Sequence, residues 1–315
     1  MGIAFASLPS GAMMTPPMNY PDGVFVHLAQ AVKAAVSVPV VAVGRLHDPV
    51  LAGRVIAEGK ADLIALGRAL VADPHWARKT REGRGEPIRA CISCNTCVDG
   101  MREGSRIQCL VNPAAARETL FSLTPSPRPR RMLVACGGPA GMEAAAALAR
   151  RGHTVALVER NGILGGQWIQ AMKAPRFQNT WTTPAVMQRF LDYQAAELKR
   201  LGVEVRLGRS ANRALVQEWR AEGVVSATGA GYRIPFNWII PPLLESALMR
   251  TGWTGRLAGR PAFKWLLFRV LRRSAATLAL ELAGTEIETH AIGDCVTPGT
   301  TLEAMRSAAE LAERL

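Results

Sequence analysis

Four cysteines carry the densest chemistry in this sequence: Cys91, Cys94, Cys97 and Cys109, spaced C-x2-C-x2-C-x11-C. Four thiolates within 19 residues can converge on one metal centre. A zinc ribbon pairs two C-x2-C knuckles, and this run does not. A C-x2-C-x2-C run with a more distant fourth cysteine is the ferredoxin-type arrangement. A [4Fe–4S] cluster is therefore the first expectation. Zinc, or cysteines that merely pack, stay open as alternatives. The two remaining cysteines, Cys136 and Cys295, fall inside glycine-rich motifs and are expected to be packed small residues.

The second chemical signal is Leu133-Val-Ala-Cys136-Gly-Gly138-Pro-Ala-Gly141, with Glu159 about 20 residues on. A strand, a glycine turn and a helix N-terminus bring backbone N–H groups to a pyrophosphate. An acid at the end of the next strand suits a ribose hydroxyl. Cys136 stands where the motif has its first glycine, the one that makes the tight turn. Three further turns follow in order: Leu164-Gly-Gly166-Gln167, Ala227-Thr-Gly229-Ala, and Ile292-Gly-Asp294 before a terminal helix. Each alone reads as a turn; the ordered set reads as a dinucleotide site on Gly138, Gly141, Glu159, Gly166, Gln167 and Asp294.

The third signal is a pair of strand ends, Val43-Gly44-Arg45 and Leu66-Gly67-Arg68. The loops after the last two strands of a β/α barrel commonly hold a phosphate. Glycine admits the ligand to the backbone, and arginine adds charge-assisted hydrogen bonds. The plainer reading is a strand that ends at solvent.

These groups must be held by alternating strands and helices. Residues 2–10 read as a strand and Met13 to Gly23 as a Pro-rich loop. Residues 24–36 read as a helix and Val38 to Val43 as a buried strand. Asp48-Pro49 starts a helix stopped by Gly59, Ala61 to Leu66 is a strand, and Asp73-Pro74 starts a helix ending near Gly83. A linker, Thr124-Pro-Ser-Pro-Arg-Pro-Arg-Arg131, marks a boundary by its proline density. Beyond it, strands are expected at 132–135, 154–158, 203–207 and 223–227, with helices at 139–151 and 184–200. The order implies parallel β/α units. Residues 263–273 mix apolar and basic side chains; four charges argue against a membrane span, and a buried helix between domains is expected. No internal repeat is visible.

Composition narrows the function classes. A chain of 315 residues with 49% hydrophobic content suits two globular domains. The net charge of +13 comes mostly from scattered arginines, and aromatics are only 6%. A nucleic-acid groove with stacking platforms is poorly supported. The residues after Met1 lack the basic start of a secretory signal, so the expected compartment is the cytoplasm, where clustered cysteines favour metal over disulfides.

With these motifs together, the chain resembles the iron–sulfur flavoenzymes of the old yellow enzyme class, the NADH:flavin oxidoreductases of the 2,4-dienoyl-CoA reductase and trimethylamine dehydrogenase type. Val38-Pro-Val-Val-Ala-Val-Gly-Arg-Leu-His-Asp-Pro49 resembles their penultimate barrel strand, and Ala61 to Pro74 their last. Cys91-Ile-Ser-Cys94-Asn and Cys109-Leu-Val-Asn-Pro-Ala114 resemble their cluster segment. Gly137-Gly-Pro-Ala-Gly141 and Leu164-Gly-Gly-Gln167 resemble their FAD- or ADP-binding turn. The resemblance implies an α/β fold: the C-terminal part of a TIM (β/α)8 barrel followed by a Rossmann-like FAD/NAD(P)-binding domain. It implies a partial barrel at 1–90, a cluster segment at 91–123, a linker at 124–131 and an FAD domain at 132–315. It implies FMN with its phosphate near Gly44, Arg45, Gly67 and Arg68, a [4Fe–4S] cluster on the four cysteines, and FAD or ADP on the dinucleotide turn. Electrons in such reductases pass from NAD(P)H through FAD and cluster to FMN, and a hydride then goes to an activated alkene. The substrate is expected to be an enoyl thioester, an enone or an amine.

Three departures shape the expectation. A (β/α)8 barrel takes about 250 residues, and only about three strands precede the cysteines, so roughly five units are expected to be missing. Ser10-Gly-Ala-Met-Met-Thr15 offers no His or Tyr where the family has an acid, so no catalytic residue is assigned. No second glycine fingerprint lies between Gly229 and Gly293 for a full NAD(P)H domain. Another chain completing the barrel, or a gene fragment, would account for this. The rivals are an electron-transfer or nucleotide-binding module without substrate chemistry, and a zinc-bearing nucleic-acid binder.

Overall fold

The computed structural model describes residues 14–83, 86–121, 123–174, 176–177, 180–232, 272–274 and 287–315. The strand expected at 2–10 and the helix expected at 263–273 lie outside the described residues, apart from Arg272 and Arg273.

Two β/α units open the described chain. After α1 (Val26–Ala35), strand β1 (Val41–Val43) leads to α2 (Pro49–Ala57), and β2 (Leu63–Ala65) leads to α3 (Arg68–Ala72) and α4 (Trp76–Glu82). β1 and β2 pair in parallel, Val41 opposite Leu63. Asp48 caps α2 as expected: its carboxylate accepts the Val50 N–H at 2.9 Å, and Pro49 takes the first turn. Ala42 packs inward with Leu46, Val55 and Ala61, while Val41, Val43 and Leu63 leave the other strand face exposed. Two strands close no barrel. The exposed apolar face is the one a closed barrel would turn inward.

The expected helix at Asp73-Pro74 is displaced. Helix α3 starts directly on Gly67, and Asp73 ends it instead of starting the next. The Asp73 carboxylate accepts the backbone N–H groups of His75 and Arg89 and pairs with Lys79 at 2.8 Å. That acid is therefore spent on joining the chain to the cysteine segment. Gly83 ends α4 with φ +58, a left-handed stop.

The cysteine segment carries one helix, α5 (Thr96–Arg102). Beyond the proline-rich stretch, β3 (Arg131–Ala135), α6 (Pro139–Arg150) and β4 (Thr154–Glu159) form a β/α/β unit. Then come α7 (Gln167–Lys173), the small hairpin β5 (Arg176–Phe177) and β6 (Thr180–Trp181), α8 (Pro184–Arg200), β7 (Glu204–Leu207), α9 (Arg213–Glu218) and β8 (Gly223–Ser226). A second antiparallel pair, β9 (Ala230–Tyr232) and β10 (Arg272–Ser274), precedes β11 (Glu288–Ala291) and α10 (Thr301–Arg314).

Five strands make one parallel sheet in the order β11-β8-β3-β4-β7. Parallel strands buried on both faces need continuous apolar runs, and Met132 to Ala135 and Val155 to Val158 supply them. Helices α6, α8 and α10 cover one face, and Leu215 and Val216 of α9 with Trp219 just after it cover the other. Helix α6 is rich in alanine and mostly buried, which lets it lie close under the sheet. Ile92, Leu110 and Val111 of the cysteine segment join this same core, beside Met142 and Leu148 of α6. The cysteines are thereby anchored to the nucleotide-type sheet through shared apolar packing.

Candidate functional site

Two candidate sites lie in the described chain. The first is a pocket lined by Cys91, Cys94, Cys97 and Cys109 together with Arg68, Val71, Ile92, Asn95, Leu110 and Val111. Non-adjacent turns of chain bring the thiols together. Ser93 and Asn95 adopt left-handed backbone, φ +51 and +62, which folds the C-x2-C-x2-C run into a tight loop. Asn tolerates that region well. Helix α5 then starts at Thr96 and carries Cys97, while Cys109 returns from the far arm.

Hydrogen-bond donors are aimed at the sulfurs. The Ser93 N–H donates to Cys91 Sγ at 3.4 Å, and Cys94 Sγ lies 3.2 Å from Thr96 Oγ1. Backbone amides of Val111 and Asn112 face Cys109. Burial pushes the Cys94 thiol up to about 11, and the neighbouring sulfurs add to it. Burial also pushes Cys109 far up, with Cys94 and Cys91 contributing. Thiols close enough to push up Cys94, Cys97 and Cys109 crowd one space, and N–H groups facing sulfur suit thiolates bound to metal. Among the described residues, no three His, Cys, Asp or Glu side chains converge on a single ion position. The Ser93 hydroxyl is buried in this loop without a hydrogen-bond partner.

The second site is the glycine turn between β3 and α6. A Cβ on Gly141 would sit 2.0 Å from the Cys136 carbonyl oxygen, so the position admits glycine alone. Gly138 opens α6 as its N-cap and faces Gly166: a Cβ on Gly166 would lie 3.0 Å from the Gly138 Cα. The two glycines thus make one bare backbone cradle at the helix N-terminus, the form that receives a pyrophosphate. Gly293 abuts Ala140 and Ala304 from the opposite side. Asp294 follows on a short 3-10 turn, Gly293–Cys295, and accepts the Gly299 N–H at 3.0 Å.

Glu159 is buried at the end of β4, where one carboxylate oxygen accepts the Gly137 N–H at 2.7 Å and the other accepts both N–H groups of Asn161 at 2.8 Å. Its first task is to hold the turn. Gln167 donates to the Ala230 carbonyl and ties the second glycine turn to the strand after β8. Cys136 adopts φ +90 at the first-glycine position. Its thiol meets Glu159 Oε2 at 3.4 Å, and burial pushes it up to about 11 with help from that carboxylate. Cys295 is buried, its thiol donating toward the Ser226 and Ile292 carbonyls.

The Gly-Arg strand ends divide. Gly44 has φ +111, and a Cβ there would meet the Phe25 ring at 2.5 Å. The Arg45 guanidinium is buried, paired with Asp22 at 2.7 Å and bonded to the Pro17 carbonyl at 3.0 Å. Gly67 caps α3 in open space, and Arg68 reaches the cysteine pocket. Asp22 also binds Arg189 of α8 at 2.7 Å, which makes a charged joint between the first units and the sheet domain. Two partners escaped the sequence reading, Arg89 and Glu143. Arg89 precedes Cys91 by two residues, and its guanidinium reaches Glu143 on α6 and Tyr193 on α8. A glutamate on the buried face of an alanine-rich helix is the one signal that could have found it.

Residues 14–86 match the NADH:flavin oxidoreductase / NADH oxidase family, and residues 132–227 match the FAD dependent oxidoreductase family. An NADH oxidase of Thermoanaerobacter brockii is 42% identical over 217 residues, which are 68% of this chain and 32% of that protein. A cinnamate reductase of Clostridium sporogenes is 36% identical over 219 residues, 69% of this chain and 32% of that protein. The chain thus spans about a third of the length of these curated relatives. Among solved structures, a 2-naphthoyl-CoA reductase in complex with 2-naphthoyl-CoA superposes with a TM-score of 0.80 at 20% identity, over 95% of this chain and 57% of that one. Histamine dehydrogenase from Rhizobium sp. 4-9 superposes with a TM-score of 0.77 at 20% identity, over 96% of this chain and 59% of that one. At these identities the structural likeness shows the fold.

Proposed function

We propose, from the premise that this chain belongs to the NADH:flavin oxidoreductase family of the 2,4-dienoyl-CoA reductase and trimethylamine dehydrogenase type, that it works in flavin-dependent electron transfer through an iron–sulfur cluster. The observation that carries the reading is the cysteine pocket. Cys91, Cys94, Cys97 and Cys109 line one small space, with backbone donors facing their sulfurs. A bound cluster supplies one-electron transfer there.

The rest follows from this chain's own residues. Gly138, Gly141 and Gly166 would admit the pyrophosphate of FAD or ADP to the N-terminus of α6, and the helix dipole would favour its charge. Glu159 would face the ribose while it holds the Gly137 N–H. Asp294, at the start of the last turn before α10, would orient the ribityl end. The Gly67 turn opens α3 in free space and suits the FMN phosphate better than Arg45, whose guanidinium is already held by Asp22. NAD(P)H would deliver the electrons, and an enoyl thioester, an enone or an amine is the substrate class of the reading. The division into barrel part, cluster segment, linker and FAD domain belongs to the same proposal, as do a cytoplasmic setting and a further chain that completes the barrel. Among the described residues no helix is long and apolar enough to cross a membrane.

The engaged state of Arg45 also favours a second reading, an electron-transfer or nucleotide-binding module without FMN. Anaerobic reconstitution of the full chain with iron and sulfide, followed by metal, sulfide and flavin analysis, separates the two. Iron and sulfide in equal amounts with both FMN and FAD support the first reading. Iron, sulfide and FAD without FMN support the second. Zinc without iron or sulfide refutes both.

A further inference from the structure

We propose that Arg68 is the fixed cation that sets the reduction potential of the cluster held by Cys91, Cys94, Cys97 and Cys109. This rests on the reading of the cysteine pocket as an iron–sulfur site. Arg68 lines that pocket with all four thiols. Its Nη1 donates to Asn95 Oδ1 at 2.5 Å and to the Pro16 carbonyl at 3.0 Å. Asn95 lies inside the cysteine loop, and its own amide donates to the Thr15 carbonyl at 2.8 Å. The guanidinium is therefore pinned over the loop between Cys94 and Cys97.

Both acceptors of Arg68 are neutral. Among the described residues no carboxylate lies within ion-pair distance of it, whereas the nearby Arg45 is neutralised by Asp22 at 2.7 Å. Among the described residues, the pocket thus receives one positive charge with no carboxylate partner.

An iron–sulfur cube on four thiolates is anionic, and one electron from the flavin adds another negative charge. No bond forms or breaks and no proton need move. A fixed cation at the pocket wall stabilises the reduced form more than the oxidised form, and partial burial strengthens the effect. Removing the charge makes the cluster harder to reduce. The Arg68 side chain lies at the cysteine loop, and Gly67 beside it leaves the FMN phosphate a backbone approach.

The test is a redox titration of the reconstituted full chain followed by electron paramagnetic resonance, with iron, sulfide and FMN assayed on each sample. Arg68→Gln should keep iron and sulfide and move the midpoint potential to a more negative value. Arg68→Lys should stay near the parent, because the charge remains. Asn95→Asp, which leaves Arg68 in place and cancels its charge, should also move the potential down and serves if Arg68→Gln does not fold. An unmoved potential in Arg68→Gln or Asn95→Asp at full cluster content overturns the proposal. So does an equal fall in Arg68→Lys, which would assign the effect to geometry. Loss of FMN with an unmoved potential would return Arg68 to the phosphate. A parent chain that takes up no iron and sulfide would instead refute the reading of the cysteine pocket itself.

Discussion

Arg89 and Glu143 form a buried ion pair that joins the cysteine segment to the nucleotide turn. Nη2 to Oε1 is 3.2 Å, Nη1 to Oε2 is 3.4 Å, and both residues are less than a tenth exposed. The same guanidinium donates to the Val111 carbonyl and to the Tyr193 hydroxyl, and lies 4.9 Å over the Tyr193 ring. Arg89 stands two residues before Cys91, Val111 two after Cys109, and Glu143 two after Gly141. One side chain therefore ties both arms of the cysteine segment to the helix that starts at the glycine cradle.

Breaking that pair should be severe. A buried charge left without its partner costs roughly 3–5 kcal/mol, while replacing both partners by apolar groups of similar size is far milder. Urea unfolding should therefore show Arg89→Met and Glu143→Gln strongly destabilised, and Arg89→Met/Glu143→Leu partly recovered. Additive losses in the double variant would show that the two groups do not act as a pair.

Cys136 holds a backbone conformation that glycine adopts without strain. Its φ of +90 costs a residue with a Cβ about 1–2 kcal/mol, and the extra freedom of glycine in the unfolded chain offsets up to about 1 kcal/mol. Cys136→Gly should raise stability by roughly 0.5–1 kcal/mol and leave ADP binding intact. Thermal melting and calorimetric ADP titration check both; a clear loss of stability would mean that the thiol contact with Glu159 outweighs the strain.

Gly141 is the opposite case. Its virtual Cβ lies 2.0 Å from the Cys136 carbonyl, and the neighbouring atom is backbone, which cannot swing aside. Gly141→Ala should force α6 away from β3, destabilise the chain by several kcal/mol (about 3 or more on the scale of overpacked cores) and abolish ADP binding. Retention of parent-like binding would show that the turn is not the nucleotide site.

The glycine turn and the long α8 were legible because their signals are local. Gly138-Pro139 announces a helix N-terminus, and α8 spans Pro184–Arg200 as its pattern predicts. Helices α3, α5, α7 and α9 were not legible. They run to 5, 7, 7 and 6 residues, too short for apolar periodicity to emerge. The misplaced start at Asp73 has a different cause. Asp-Pro is a strong cap signal, but the Arg89 N–H, from beyond α4, and the Lys79 ammonium claim that carboxylate. The contact of Arg68 with Asn95 was not legible either: a strand-end arginine gives no hint of which loop its side chain will reach. Long-range electrostatics decides these positions, and neither propensity nor motif spacing records it.

His47 should make stability depend on pH. It is buried among Asp22, Arg45, Arg189 and Arg68, and its Nε2 lies 2.8 Å from Arg189 Nη1, a contact that needs an unprotonated ring nitrogen. Burial lowers its pKa to about 4; Asp22 opposes the shift and the three arginines add to it. The unfolded chain takes up the proton near 6.5, before the folded chain does, so between about 6.5 and about 4 the unfolded state binds more protons. This contribution to stability is present in full above 6.5 and is lost as the pH falls toward 4. At about 1.4 kcal/mol per pKa unit, the loss is roughly 3 kcal/mol at most. Urea unfolding at intervals across that window should fall steadily for the parent chain. His47→Gln, which keeps a neutral acceptor facing Arg189, should flatten the slope there; an unchanged slope would place the titration on another group.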